Sequence, residues 1–182
     1  MVRTLRALED GKTEIELKSV DFISVVQQAQ ATFEERLHKK NLELTFNQQE
    51  LEGVSVLAEP VSLNHSVINN LVSNAIKFSH DGGRIEIKVS ADENEVRVAV
   101  RDYGVGMPKT LLEKVFMPNE STSRTGTSGE SGTGFGMPLV KSYMERYGGA
   151  IKIQSSTEGE GAADHGTTVT LCFKTSNTKR TG

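Results

Sequence analysis

The sequence predicts an α/β domain, because stretches with helical spacing of apolar residues alternate with runs in which apolar and charged residues alternate. The helical spacing is plainest at 21–40, after Pro60 and at 136–147, and the strand pattern is plainest at 84–89 and 96–101. The 182 residues, 36% of them hydrophobic, suit one domain, since a chain of this size buries roughly 70% of its unfolded surface.

From Asp21, the residues Phe22, Val25, Val26, Ala29, Phe33 and Leu37 recur at three and four, which predicts a helix over 21–40 with Asp21 as its cap. Two short β-prone pieces follow, 42–46 and 54–57, separated by polar residues. Leu63, Val67, Leu71 and Ala75 sit four apart behind Pro60, which is tolerated in a first helical turn. His80-Asp81-Gly82-Gly83 is a turn signal, and the runs 84–89 and 96–101 form a predicted antiparallel hairpin around Asp92-Glu93-Asn94. A short helix is expected from Pro108 to about Phe116. Residues 117–133 are almost free of apolar side chains and read as a long mobile loop, of a length usual for functional lids or disordered segments. A helix from Gly136 to Tyr147 closes on Gly148-Gly149, and Ile151, Ile153 and 168–173 supply the last strands. Residues 1–19 read as a linker or tail, 20–174 as the domain and 175–182 as a loose end.

Composition narrows the function. The 21 Lys+Arg against 24 Asp+Glu leave a net charge of −3 with no basic cluster, which argues against nucleic acid as a partner. The single Cys172 excludes a disulfide framework and a cysteine-based zinc site. No apolar run approaches the roughly 20 residues that span a bilayer, so a cytoplasmic domain without direct membrane contact is expected, on a parent protein that could itself be anchored. Only Gly11, Gly53, Gly82 and Gly83 lie in the first hundred residues, and 13 of the 17 glycines follow, so the permissive backbone is concentrated in the second half.

Three motifs carry chemistry. On the second helix Ser66, Asn70, Asn74 and Lys77 form a polar stripe beside the apolar one. Such a stripe is ordinarily a solvated face, but asparagine is a poor choice inside a helix, and amide oxygens with a lysine suit a hard cation and phosphate. Asp102-Tyr103-Gly104-Val105-Gly106 ends a predicted strand. It is either plain turn punctuation or a buried carboxylate that accepts a hydrogen bond from an exocyclic amine, with glycines admitting a flat base. Gly132-Thr133-Gly134-Phe135-Gly136 leads into a helix, where successive amides and the helix dipole favour phosphate. Gly11-Lys12-Thr13 is no Walker loop, because Arg6 stands where its first glycine belongs, and the later glycines miss the dinucleotide fingerprint.

The order of these motifs, together with Phe116 and with Gly166-Thr167 before the last strand, resembles the catalytic, ATP-binding domain of bacterial sensor histidine kinases, in the gyrase, Hsp90, histidine kinase and MutL superfamily. Asn70-Leu71 through Ser79 is like the N box, 102–106 the first glycine box, Phe116 the F box and 132–136 the second glycine box. The resemblance implies a two-layer sandwich of the Bergerat type, in which a mixed, mostly antiparallel sheet packs against three helices under a long ATP lid. It implies that Asn74 coordinates Mg²⁺, that Asn70 supports the metal or phosphates, that Lys77 contacts phosphate and that Phe78 packs near base or ribose. Asp102 would bind the adenine amino group in a pocket shaped by Gly104 and Gly106. Gly132, Thr133, Gly134, Phe135 and Gly136 would close the lid over the triphosphate, and Thr167 would join the site. Arg124 is the only cation in 117–133, so it either meets the γ-phosphate or is a solvated loop arginine. Ser66 stands where a glutamine is common in the family.

ATP-hydrolysing relatives place a glutamate four residues before the metal-binding asparagine, and Asn70 occupies that position here. A neutral imidazole needs no such base, which favours transfer to histidine. None of His38, His65, His80 and His165 stands in the family's acceptor context, so the acceptor is expected on a dimerisation hairpin outside this chain, with a response regulator receiver domain as the next partner. A serine kinase of the anti-sigma type and a nucleotide-responsive module without chemistry are the alternatives.

Overall fold

The structure, a computed structural model, describes residues 15–117, 123–130, 132, 134–158 and 165–175. Its elements are β1 (Lys18–Asp21), α1 (Phe22–Lys39), β2 (Glu43–Phe46), α2 (Gln48–Leu51), β3 (Ser55–Ala58), α3 (Pro60–Ser62), a π-helical stretch (Leu63–Ile68) running into α4 (Asn69–Phe78), the hairpin β4 (Arg84–Ala91) and β5 (Glu95–Asp102), α5 (Lys109–Leu112), α6 (Gly136–Arg146), β6 (Ala150–Ser156) and β7 (Gly166–Lys174). The large sheet has the order β2-β4-β5-β7-β6, parallel only between β2 and β4, while β1 and β3 form a separate antiparallel pair. The mixed, mostly antiparallel sheet is therefore as expected.

Period two decides which face meets the helices. On β5, Val96, Val98 and Val100 are buried while Arg97 is exposed, and on β4 Ile85, Ile87 and Val89 repeat the pattern. Against this face lie α1, α4 with its π-helical lead, and α6, through Phe22, Val26, Ile68, Leu71, Val72 and Met144. Asp21 caps α1 by accepting from Ser24 N at 3.2 Å, as predicted. Asn41, with φ 49°, ends it in the left-handed conformation asparagine tolerates. Glu59 caps α3 by accepting from Val61 N and Ser62 N. The Ser62 hydroxyl, 2.7 Å from the Tyr147 hydroxyl, ties that cap to the end of α6.

Three features differ from the sequence expectation. The first element among the described residues is β1, with Lys18 paired to Ala58, two residues before the expected boundary at 20. A single-turn helix, α2, fills the polar interval between β2 and β3, with Asn47 accepting from Gln49 N. Leu63–Ile68 is π-helical, so the stripe of four does not start at Ser66 but holds from Asn70 onward. The proposed tails at 1–14 and 176–182 lie outside the described residues.

Candidate active site

The same alternation that buries Val96, Val98 and Val100 puts Asp102, the last residue of β5, on the helix side of the sheet. Its neighbour in register on β7 is Thr167, which shares the inward parity of Val169 and Leu171. Facing them across the layer is the helical stripe Asn70, Asn74 and Lys77. A cavity of about 210 Å³ runs between, lined by these residues and by Phe78, Arg124, Gly132, Gly134 and Gly136, with Val100, Met107, Leu111, Val115, Ile153 and Val169 as its apolar wall. Thus the structure brings together most of the residues singled out in the sequence, from four separate segments. Gly104, Gly106 and Phe135 do not line the cavity, and Thr133 lies outside the described residues.

At one end, Asp102 is 6% exposed and its Oδ1 accepts from Gly104 N at 3.0 Å and Thr167 N at 3.2 Å. Burial pushes its carboxyl up to about 6, even though both N–H groups favour the charged form. The two glycines of this loop make close approaches to protein backbone, where the sequence reading had them admit a base. A Cβ on Gly104 would stand 1.9 Å from Phe78 O, and one on Gly106, at φ 65°, would stand 1.9 Å from Ser156 O. Val105 N donates to Phe78 O at 3.1 Å, so the loop is seated on the end of α4 and shapes the pocket by setting the position of Asp102. His165 Nδ1 donates to Gly104 O at 2.8 Å and adds a tie that the sequence did not reveal.

At the other end, Asn70 Nδ2 donates to Ser66 O at 2.6 Å, which turns its Oδ1 toward the start of α6; a Cβ on Gly136 would stand 2.9 Å from that oxygen. Asn74 Nδ2 lies 3.5 Å from Met137 Sδ. Lys77, 7% exposed, donates to Arg124 O at 2.5 Å, and a Cβ on Gly132 would stand 2.5 Å from its Nζ. Burial lowers the Lys77 pKa and the Arg124 charge adds to that, while Glu130 opposes it. Among the described residues no group of three or more His, Cys, Asp or Glu side chains could hold a metal. The residues at this end that could hold a hard cation are Asn70, whose amide oxygen faces Gly136, and Asn74 one turn further on, with the remaining ligands taken from phosphate oxygens and water.

Between the ends lies the Phe78 ring, with Lys77 Nζ 4.9 Å and Arg124 Cζ 4.8 Å from its centroid. Arg124 Nη2 donates to Gly106 O at 2.9 Å. Its guanidinium therefore lies at the Asp102 end in this conformation, away from the glycine-lined end where the sequence reading puts a γ-phosphate. The cavity is smaller than the roughly 300–1,000 Å³ usual for ligand pockets, and Arg124 on its lining is held by Lys77 at its carbonyl and by Gly106 O at its guanidinium.

A buried carboxylate facing an amide and lysine stripe under a glycine-rich lid, between a mixed sheet and three helices, defines an ATP-binding α/β sandwich. The sequence model of the family described as "Histidine kinase-, DNA gyrase B-, and HSP90-like ATPase" matches residues 59–177, and the chain belongs to that family. Within it, the relatives and solved structures that the chain resembles are histidine kinases. The chain is 34% identical over 110 residues to the sensor histidine kinase WalK of Bacillus subtilis, covering 59% of this chain and 17% of WalK. It is 30% identical over 173 residues to the hybrid signal transduction histidine kinase L of Dictyostelium discoideum, covering 92% of this chain and 10% of that protein. The chain thus spans well under a third of the length of these relatives. Among solved structures, the histidine kinase AdeS of Acinetobacter baumannii is similar with a TM-score of 0.73 at 22% identity, over 97% of this chain and 76% of that one. Full-length ShkA in complex with AMPPNP is similar with a TM-score of 0.75 at 22% identity, over 96% of this chain and 35% of that one. ThkA in complex with the response regulator protein TrrA is similar with a TM-score of 0.70 at 23% identity, over 98% of this chain and 48% of that one.

Proposed function

We propose that this domain binds ATP with Mg²⁺ and transfers the γ-phosphoryl group to a histidine on a helical dimerisation hairpin of its parent protein, from which a response regulator receives it. The observation that carries the reading is the pairing, across one cavity, of the buried Asp102 carboxylate with the Asn70, Asn74 and Lys77 stripe. Asp102 accepts from the adenine amino group, and its two backbone N–H partners keep the accepting oxygen aimed. Thr167 borders that end, and Phe78 packs against base or ribose. Asn74, supported by Asn70, would hold Mg²⁺, which when bound neutralises charge on the phosphates. Lys77 leaves Arg124 O and pairs with phosphate, and Gly132, Thr133, Gly134, Phe135 and Gly136 let the lid backbone approach the triphosphate.

In the transfer, a neutral imidazole nitrogen of the acceptor forms the new N–P bond as the bond from the γ-phosphorus to the β,γ-bridging oxygen breaks. ADP leaves and the imidazole gives up its ring proton to solvent. No protein base is required, consistent with asparagine at position 70. Arg124 reaches the γ-phosphate only after its bond to Gly106 O breaks. The test mixes this chain with the acceptor hairpin of its parent and ATP labelled at the γ-phosphate. Acid-labile, alkali-stable label on the hairpin histidine and none on this chain is the expected outcome. Label on serine of a partner, or none despite ATP binding, rejects the reading.

A further inference from the structure

Lys40 follows the last residue of α1 and is 6% exposed, although it occupies a Lys-Lys pair that reads as a solvated helix end. The left-handed Asn41 that stops α1 turns the chain there, and the Lys40 side chain runs beneath the C-terminus of α4. Its ammonium donates to Ile76 O at 2.9 Å, Ser79 O at 3.0 Å and Thr127 Oγ1 at 2.6 Å, with Glu130 Oε1 at 3.2 Å and Lys77 O at 3.5 Å. An ammonium has three N–H groups, so five acceptors share them. The carbonyls of Ile76 and Lys77 are among the last of α4, where the helix leaves its oxygens without partners and its dipole is negative. Thr127 and Glu130 belong to the lid.

The lid side of this contact is a closed turn. Gly126 N donates to Glu130 O at 2.8 Å and Ser128 N to Glu130 Oε2 at 2.9 Å, while Thr127 N donates to Lys77 O at 3.0 Å and Thr127 Oγ1 to Ser79 O at 2.6 Å. A Cβ on Gly126 would stand 2.7 Å from Lys77 O, so the turn lies directly on the helix end. Burial alone would raise the Glu130 carboxyl, but backbone N–H groups and the Lys40 ammonium outweigh it and hold it below its ordinary value. Lys40 does not line the cavity, so contact with a nucleotide does not account for its burial.

We propose that Lys40 is a positioning residue that staples the lid turn 126–130, through Thr127 and Glu130, to the C-terminus of the helix bearing Lys77 and Phe78. The staple gives the lid a fixed pivot, so that the segment carrying Arg124 and Gly132 swings over a bound nucleotide without leaving the helix end. This rests on the ATP reading above for what the lid closes on, but not for the staple itself. A helix cap alone would need only the carbonyls of Ile76, Lys77 and Ser79. Changes on the lid side therefore separate the two roles, because they leave that cap in place.

The experiment compares the whole chain with Glu130→Gln, Thr127→Val, Lys40→Met and the Lys40→Met/Glu130→Gln pair. It reads hydrogen exchange at the Gly126 and Thr127 amides without nucleotide, thermal unfolding, and calorimetric binding of ADP and a non-hydrolysable ATP analogue with Mg²⁺. Expected are faster exchange at both amides in Glu130→Gln and Thr127→Val, an unfolding temperature within about 2 °C of the parent, and analogue binding weakened by about 3–10-fold. The paired variant loses less affinity than the product of the two single losses. Unchanged exchange and unchanged affinity in both lid-side variants overturn the staple, whether or not Lys40→Met folds. If the parent chain binds no adenine nucleotide, the ATP reading fails, and the exchange data still decide the staple.

Discussion

On the proposed reading, Asp102 has two tasks that pull its chemistry in opposite directions. Its oxygen must be ionised and aimed to accept from a base, yet it sits 6% exposed, where burial lifts its pKa from 3.8 to about 6. The folded carboxyl thus binds its proton more tightly than the unfolded one, so the folded state takes up a proton between pH 3.8 and about 6, and stability falls as pH rises through that window. Asp102→Asn is expected to raise the unfolding temperature at pH 7.5 by removing a buried charge, while weakening ADP by at least about tenfold, or ~1.4 kcal/mol. Calorimetry and thermal unfolding on the same sample check both. Affinity of the parent chain for ADP should fall as pH drops below about 6, and Asp102→Asn should lose that dependence. Arg124 offers a second test: if it reaches the γ-phosphate, Arg124→Ala weakens the ATP analogue by about 5-fold or more and ADP by less than about 2-fold, whereas equal losses keep it at the base end. The meeting of Asp102 and the asparagines at one cavity was legible because their chemistry combines with periods of two and four. Lys40 was not, because nothing local separates a lysine that turns inward at a helix end from one that points to water.

At the level of elements, the first glycine box is a docking device. Gly104 and Gly106 let the loop after β5 lie on Phe78 O and Ser156 O, joining the end of α4 to the end of β6 and so fixing both sides of the pocket. Gly104→Ala drives a methyl to 1.9 Å of a backbone carbonyl and is expected to destabilise the domain by more than about 2 kcal/mol, read as a lower denaturation midpoint with an unchanged slope. A glycine at such a spacing announces a close approach without saying to what, which is why the sequence assigned it to a base. The helices α1, α4 and α6 and the β4-β5 hairpin were legible from amphipathic periodicity, whereas α2 was not expected and α5 is a single turn, Lys109–Leu112, of the helix expected up to Phe116. β1 was not, since its four residues show no alternation of burial. The π-helical turn of Leu63–Ile68 was not either, because apolar residues four apart fit both helix types. The parallel pairing of β2 with β4 depends on a partner far along the chain, with Leu44 opposite Ile85, and no local pattern reports it.

Taken as a whole, the molecule is a sheet and a helix on either side of a cleft, which on the proposed reading supply its base end and its phosphate end, with a lid tied to that helix at two lysines. Lys77 holds Arg124 O and Lys40 holds the turn at Thr127 and Glu130. On the proposed reading the first tie is exchanged for phosphate, whereas the second, outside the cavity, persists. The account is tested most directly by the structure of this chain with a non-hydrolysable ATP analogue and Mg²⁺. It predicts the adenine amino group within hydrogen-bonding distance of the Asp102 carboxylate, the metal at Asn74, Lys77 on phosphate instead of Arg124 O, and Lys40 still on Thr127 and Glu130. An adenine ring bound away from Asp102, or phosphates away from the Asn70, Asn74 and Lys77 stripe, would contradict it.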